Sequence, residues 1–489
     1  MFSAMRGSFL LLLTVVNAVS VSAYRWFNWE FDVTCEATDH IVPADEAELA
    51  TFLQNEHAKG SFIKVVGNGH GLSNLTTCVD VTTTTRDSYI VSLSNLRGIT
   101  YGANNTVTFG AGWDLVEIVP ELIAHGLQPA NLCSERVQNF IGAATTGTHG
   151  TGKGLSNIAS HILAFRVLDA TGQVHVINSE IDPDGVKAFK ITLGALGIIT
   201  EVTIQAEPLQ FLKRTTKVVN ATSNVTEQAR LIKQYGTDLD RVNIAGPTYG
   251  WNSETLEWEI EPTFTLMYWE PTNVTGVYNC STNFCSNGCG DCKSNSFCYD
   301  LAPYSISVPP SGVCSRAFLG QFEHFVPIEE LESASIDYTN LQLSQTNQLK
   351  EANNEVAVYE YRFIKGDDAF LSPANTYNLG PENSGIFAAI TISYIPTYND
   401  YQSLWAYTDA LGTFVADLGY KHNVRPHWNK NSKFNLTYAE FAYPKVQKWL
   451  EYEEKFDPKC QFVNEFLVDH LNLTRCEGVI PTTMPSVIV

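Results

Sequence analysis

The stretch Phe62-Ile-Lys-Val-Val-Gly67-Asn68-Gly69-His70-Gly71-Leu-Ser73-Asn74 narrows what this chain can fold into more than any other. Phe62 to Val66 predicts a short buried strand. Glycines at alternate positions then release the backbone into a tight turn that can lie close against a ligand. Successive bare amides in such a turn form a concave anion site of the kind that holds a pyrophosphate. His70 stands in the middle, where an imidazole can act as a nucleophile or carry a covalent bond. A glycine-rich hairpin with an incidental histidine is the competing reading, so the rest of the chain has to decide.

Two further strings bear on it. Gly142-Ala-Ala-Thr-Thr146-Gly147-Thr148-His149-Gly150-Thr-Gly152 is a second glycine loop with small hydroxyl side chains, and Leu193-Gly194-Ala195-Leu196-Gly197-Ile-Ile199-Thr-Glu-Val202 runs from a glycine pair into a β-branched strand. Together, in this order, the strings resemble the PCMH-type FAD domain of the vanillyl-alcohol oxidase superfamily. Within it the chain is most similar to the sugar-lactone and alditol oxidases, and matching pieces run from Trp29 to about Leu471. The resemblance implies an α+β fold: a two-subdomain PCMH-type FAD-binding domain over 24–210, then a sheet-and-helix substrate cap domain over 211–476. It implies FAD, attached covalently through His70, with Gly67, Asn68, Gly69, Gly71 and Ser73 along the pyrophosphate. Thr146, Gly147, Thr148, Gly150 and Gly152 resemble the second cofactor contact, and Gly197 and Ile199 fall where the family holds the adenosine end. No loop has a clean G-x-G-x-x-G between strand and helix, which argues against a nicotinamide dinucleotide.

The same resemblance supplies candidates for chemistry. Ser134 aligns with a serine that touches substrate in alditol oxidases. Cys133 falls on the preceding position, usually glycine or alanine, which affects oxygen access to the flavin. It reads either as a buried thiol behaving as a small apolar residue or as a second flavin anchor. Glu360-Tyr361-Arg362 lies on a predicted strand, whose alternation puts Glu360 and Arg362 on one face. The pair recurs in the family, although an ordinary ion pair has the same pattern. A guanidinium there can hold a substrate oxygen and stabilise a reduced flavin. Arg425-Pro426-His427-Trp428-Asn429-Lys430 resembles the family's R-P-H-W-G-K, placing Lys430 at the flavin edge or the substrate, with His427 as the alternative base. The chain departs from the family twice: Gly71 stands where serine is usual, and Asn429 stands where glycine is usual. Phe462 and Asn464 match a closing F-x-N segment that packs against the cofactor domain. The resemblance thus implies an oxidase of CH–OH groups acting on a sugar lactone, with oxygen as acceptor; an alditol or oligosaccharide oxidase, a dehydrogenase using another acceptor, and a non-catalytic flavin- or carbohydrate-binding protein are the alternatives, and no metal is expected.

Net charge is −21 over 489 residues, which argues against nucleic acid or an anionic membrane as partner. Residues 1–23 read as a signal peptide: Arg6, an apolar run from Phe9 to Val16, and Val21-Ser22-Ala23 before cleavage. A membrane anchor is the alternative, for which the run is short. Secretion is therefore expected, with the endoplasmic reticulum lumen or a membrane-associated location as alternatives. Eleven cysteines fit an oxidising compartment. Cys280, Cys285, Cys289, Cys292, Cys298 and Cys314 form a cluster in an insertion over 274–318, read as disulfides, with zinc competing on the C-x-x-C spacing. By elimination Cys35 goes with Cys78 and Cys460 with Cys476, leaving Cys133 free. Asn-x-Ser/Thr sequons at Asn104, Asn220, Asn224, Asn273, Asn279, Asn435 and Asn472 predict N-glycans on surface loops, and an eighth at Asn74 stands against the proposed cofactor cradle, where a glycan has little room.

Helical spacing predicts helices over Asp45 to His57, after Asp114 to a stop at Gly126, and around Leu404 to Leu418. Strands are predicted at Tyr89–Leu93, Thr106–Phe109, Ile162–Leu168, Val174–Ile177, within 253–270, and at Val356–Phe363. Trp26, Trp29 and Phe31 are expected to cover the cofactor domain, and the tail over 477–489 has no core pattern.

Overall fold

A computed structural model describes residues 23–29, 31, 33–275, 296–306, 320–348, 358–394, 418–432, 434–476 and 480. Residues 1–22 of the predicted signal peptide, most of the cysteine-rich insertion (with Cys280, Cys285, Cys289, Cys292 and Cys314), the predicted helix from Leu404 and nearly all of the tail lie outside the described residues.

The fold is α+β. Its first sheet is small and parallel, with Asp39–Ile41 and Phe62–Val65 flanking Ser88–Val91. The helix Glu46–Lys59 covers it. Asp45 accepts from the Glu48 amide at 2.9 Å to start the helix, and Gly60 ends it at φ 76°, a left-handed position that glycine adopts without steric cost. Leu49 and Leu53 bury their side chains against Ile63 and Val91.

A second sheet is antiparallel. It runs Val174–Asn178, Ile162–Leu168, Ile198–Pro208, Thr106–Gly110 and Ile99–Tyr101, and Leu127–Pro129 joins it at Ile198–Pro208. The helix Leu115–Ala124 lays Leu115, Ile118, Val119 and Leu122 on it.

The third sheet has eight strands among the described residues, from Ser296–Leu301 at one edge to the short Arg425–Pro426 at the other. Its central strand Val358–Lys365 shows why the sheet has two different faces. Tyr359, Tyr361 and Phe363 point to a dry side shared with Ile244, Ile390, Phe322 and side chains from the helices Val225–Asp238 and Leu331–Gln348. The alternate residues Glu360 and Arg362 point to the other side. Period-two alternation makes this division unavoidable once one face is buried.

After the third sheet the chain returns to the first part. In the helix Val446–Phe456, the Trp449 indole donates to the Ile191 carbonyl at 2.8 Å, and the Ala170 amide donates to the Phe456 carbonyl at 2.9 Å. Phe462 is buried with Leu49 and Ile63, and Asn464 donates to the carbonyls of Asn74, Leu75 and Thr77. Cys35–Cys78 and Cys460–Cys476 are disulfides and Cys133 is a free thiol.

Candidate active site

The strand Phe62–Val65 delivers the first glycine turn into a cleft, and the amino-terminal segment clasps it from outside. The Trp29 amide donates to the Gly69 carbonyl at 3.0 Å, and the Asn28 carboxamide donates to the Gly71 carbonyl at 3.0 Å. Trp29 stacks on the His70 imidazole with ring centroids 5.3 Å apart. Gly69 needs its φ of 68°, and at Gly67 a Cβ would stand 2.6 Å from Asn139. Burial, with Lys430 nearby, pulls the His70 pKa down to about 4. The ring is therefore neutral at pH 7 and keeps a lone pair.

The second loop begins where Asn139 caps the helix Phe140–Ala144, accepting from the Gly142 amide at 3.1 Å. The third turns at Leu193, Gly194 and Gly197, all at positive φ, and a Cβ on Gly197 would lie 2.5 Å from the Leu168 carbonyl. All three meet in one cleft made of two adjoining hollows, which share Gly67, Asn68, Asn139, Gly142, Thr145 and Gly194 as walls. Gly69, His70, Gly71, Thr146 and Thr148 line one hollow, and Gly197 and Ile199 line the other. Bare amides, little bulk and an orphaned buried amine on Lys64 make this cleft fit a dinucleotide with a charged centre and two flat ends.

Other sequence candidates stand elsewhere. Ser73 does not line the cleft; its hydroxyl donates to the Trp428 carbonyl at 3.1 Å and ties the first turn to the third sheet. Gly147 packs on Pro373, and Gly150 is pressed against Leu132, where a Cβ would be 2.0 Å from a carbonyl oxygen. Gly152 donates through its amide to the Phe363 carbonyl of the third sheet. These three glycines serve the junction between loop and sheet, because the loop has no room for side chains there. Cys133 is buried, its thiol donating to the Glu135 carbonyl at 2.8 Å, and burial pushes its pKa up to about 11. It is absent from the cleft walls. Ser134, half-buried, follows it.

The polar face of the third sheet carries the other candidates. Antiparallel register places Glu360 opposite Thr391 and Thr391 opposite Glu323, so two carboxylates and a hydroxyl run across three adjacent strands. Arg362 is held between the acids: Nη2 donates to Glu323 Oε1, while Nε lies 3.7 Å from Glu360 Oε2. That Nε makes no hydrogen bond and so has a donor to spare. Glu360 accepts from the Asn243 carboxamide. Burial alone would raise the Glu323 carboxyl, but Arg362, His149 and His427 outweigh it and hold it well below the usual range. Burial works against the Arg362 charge too, and Glu323 and Glu360 reverse that, raising its pKa.

Lys430 reaches the same face and donates to Gln321. Burial brings the His427 pKa down to about 3, despite Glu323, so this ring stays neutral. The segment from Arg425 to Lys430 also joins the two halves of the site, with the Leu72 amide donating to the Asn429 carbonyl at 3.3 Å and Asn429 walling the cleft beside Gly71. A Cβ on Gly71 would fall 2.4 Å from the Asn429 carboxamide oxygen. The two departures from the family pattern therefore share one volume.

Sequence reasoning missed Glu323, His149, Thr391 and Glu135. His149 Nε2 lies 3.1 Å from Glu323 Oε1, and Thr391 donates to that oxygen at 2.8 Å. Glu135, its carboxyl raised by burial, faces Lys430 and Glu360. The available signal for Glu323 was that it is the one acid in the strand Gly320–Pro327, between Phe322 and His324.

A cleft lined by three glycine turns, between two sheets and against the polar face of a third, is the site of an FAD-binding protein of α+β fold. The comparisons agree. Residues 40–178 match the FAD binding domain family, and residues 335–470 match the D-arabinono-1,4-lactone oxidase family. The two matches cover separate stretches of the chain, an FAD binding domain followed by a segment similar to the lactone oxidases. L-gulono-1,4-lactone dehydrogenase of Mycobacterium tuberculosis is 30% identical over 39% of this chain and 42% of its own, so this match spans less than half of that relative. L-gulonolactone oxidase of Mus musculus is 24% identical over 90% of this chain and 96% of its own. D-arabinono-1,4-lactone oxidase of Eremothecium gossypii is 28% identical over 40% and 37%. Cholesterol oxidase from B. sterolicum superposes with a TM-score of 0.71 over 91% of this chain and 96% of its own at 14% identity, a likeness of fold.

Proposed function

We propose that the protein is a secreted FAD-dependent oxidase of CH–OH groups. Its substrate is a sugar-1,4-lactone of the D-arabinono-1,4-lactone or gulonolactone type, and oxygen is the acceptor, giving hydrogen peroxide. The observation that carries this reading is the meeting of the His70 turn with the face bearing Glu360, Arg362 and Lys430. The bound flavin supplies a two-electron acceptor for the hydride of the carbinol carbon. The chain's residues do the rest. Arg362 Nε, which makes no hydrogen bond within the protein, donates to a substrate oxygen. Glu360 takes the hydrogen bond, then the proton, of the reacting hydroxyl, while Asn243 fixes its orientation. Lys430 places a cation where negative charge gathers on reduction. His70, neutral and backed by Trp29, is the residue for a covalent tether.

Secretion is supported by the leader-like first 23 residues and by the disulfides Cys35–Cys78 and Cys460–Cys476. The sequons Asn74, Asn104, Asn220, Asn224, Asn273, Asn435 and Asn472 are all exposed, as N-glycans require. Among the described residues no helix is long and apolar enough to cross a membrane.

Anaerobic mixing with a panel of sugar-1,4-lactones and alditols tests the substrate class. Lactones bleach the yellow protein fastest if the reading holds, and bleaching by no sugar-like compound overturns it. Acid denaturation and trypsin digestion should leave the colour on a peptide containing His70. A dehydrogenase is the second reading, favoured by the name of the mycobacterial relative. Peroxide formation against dye reduction, in wild type and Cys133→Gly, separates the two.

A further inference from the structure

Lys64 is an amine the fold itself does not use. It lies in the strand Phe62–Val65, 6% exposed, and its Nζ has no hydrogen-bond partner. Burial pulls its pKa down to about 7, and no carboxylate offsets that. Yet it is not sealed in the core. It walls the hollow that also holds Gly67, Gly69, His70 and Gly194, and Nζ comes within 3.8 Å of a Cβ position on Gly194. The side chain thus reaches from the strand before the first glycine turn across to the third. The remaining lysine or arginine on the cleft walls, Arg97, is half-exposed and already paired with Glu117 at 2.7 Å.

A buried ammonium without a counter-ion is unfavourable, and the most favourable correction is a charged hydrogen-bond acceptor. The pyrophosphate is the permanently charged part of FAD. Glycine amides direct hydrogen bonds at it but carry no net charge. We propose that Lys64 is a phosphate-holding residue, its ammonium neutralising the dinucleotide's pyrophosphate between the first and third glycine turns. This rests on the FAD reading above.

The test uses the full chain with His70→Ala, so that flavin binds reversibly. Adding Lys64→Met should weaken FAD by about tenfold or more, the worth of one charged hydrogen bond. It should weaken adenosine diphosphate, used as a competitor, by a similar factor. Lys64→Arg should stay within a few-fold of the parent, and the flavin midpoint potential should not move. The flavin-free Lys64→Met protein should melt higher than its parent, because an unpaired charge has left the interior. Should that variant fail to fold, Lys64→Gln is read in the same way. Unchanged FAD and ADP affinities overturn the proposal. So does a loss confined to FAD with a lowered midpoint potential, which would put the amine on the flavin ring instead. A wild-type protein that neither carries nor binds FAD is a separate result: it removes the cofactor reading, and this inference with it.

Discussion

Glu323 shows how one side chain can organise a site without touching substrate. It accepts from Arg362, His149 and Thr391, which come from three different parts of the chain. Removing one partner of a buried ion pair costs about 3–5 kcal/mol, so Glu323→Ala should show a loss of that size in urea unfolding. Glu323→Gln keeps acceptors for His149 and Thr391 but not the charge on Arg362. It should fold, with kcat/KM down about 10²-fold from misplacement of the guanidinium. Steady-state kinetics against the preferred lactone checks this. Glu360 and Arg362 were legible in sequence because the pair resembles one in the lactone-oxidase family and strand alternation puts both on one face. Glu323 was not, since it meets His149 only across a sequence separation of 174.

At the scale of elements, the first turn and the segment Arg425 to Lys430 behave as one unit. Gly71 and Asn429 each look like a defect when set against the family pattern alone. In the structure the Asn429 carboxamide occupies the room that a side chain on Gly71 would need. Forcing both in should cost about 1–3 kcal/mol. Gly71→Ser and Asn429→Gly should therefore each lower the melting temperature and the flavin-to-protein ratio. The double variant should recover most of both, with a coupling of about 0.5–3 kcal/mol in a double-mutant cycle. Additive losses would mean that the two sites are independent. The glycines of the second loop divide similarly: Gly142 borders the cleft, whereas Gly147, Gly150 and Gly152 serve the junction with Pro373, Leu132 and the third sheet. A run of small residues announces close approach but does not say to what.

Over the whole molecule, Cys35–Cys78 encloses the first turn in a loop of 43 residues. By chain entropy such a bond is worth about 4 kcal/mol, so Cys35→Ala/Cys78→Ala should melt well below the wild type and hold flavin less firmly. Acid should act through buried histidines. Burial lowers His161 to about 4 and His324 and His427 to about 3, against 6.5 when unfolded. Their contribution is whole above pH 6.5 and is lost as pH falls through those values. Glu453 and Asp457, raised by burial to about 8 and 6, oppose this until the unfolded carboxyls also protonate, at 4.5 and 3.8. Melting temperature should fall gently from pH 6.5 to 4.5 and more steeply below. The sequence by itself determined the local elements, the three glycine turns and the alternation that sorts one strand into a dry and a polar face, because these depend on backbone sterics and near neighbours. Only tertiary structure decided which turn residues face the cleft, that Gly71 and Asn429 trade space, and that Glu323 and Lys64 sit where they do. Those facts are contacts between distant segments, and a contact exists only when both of its sides have been placed.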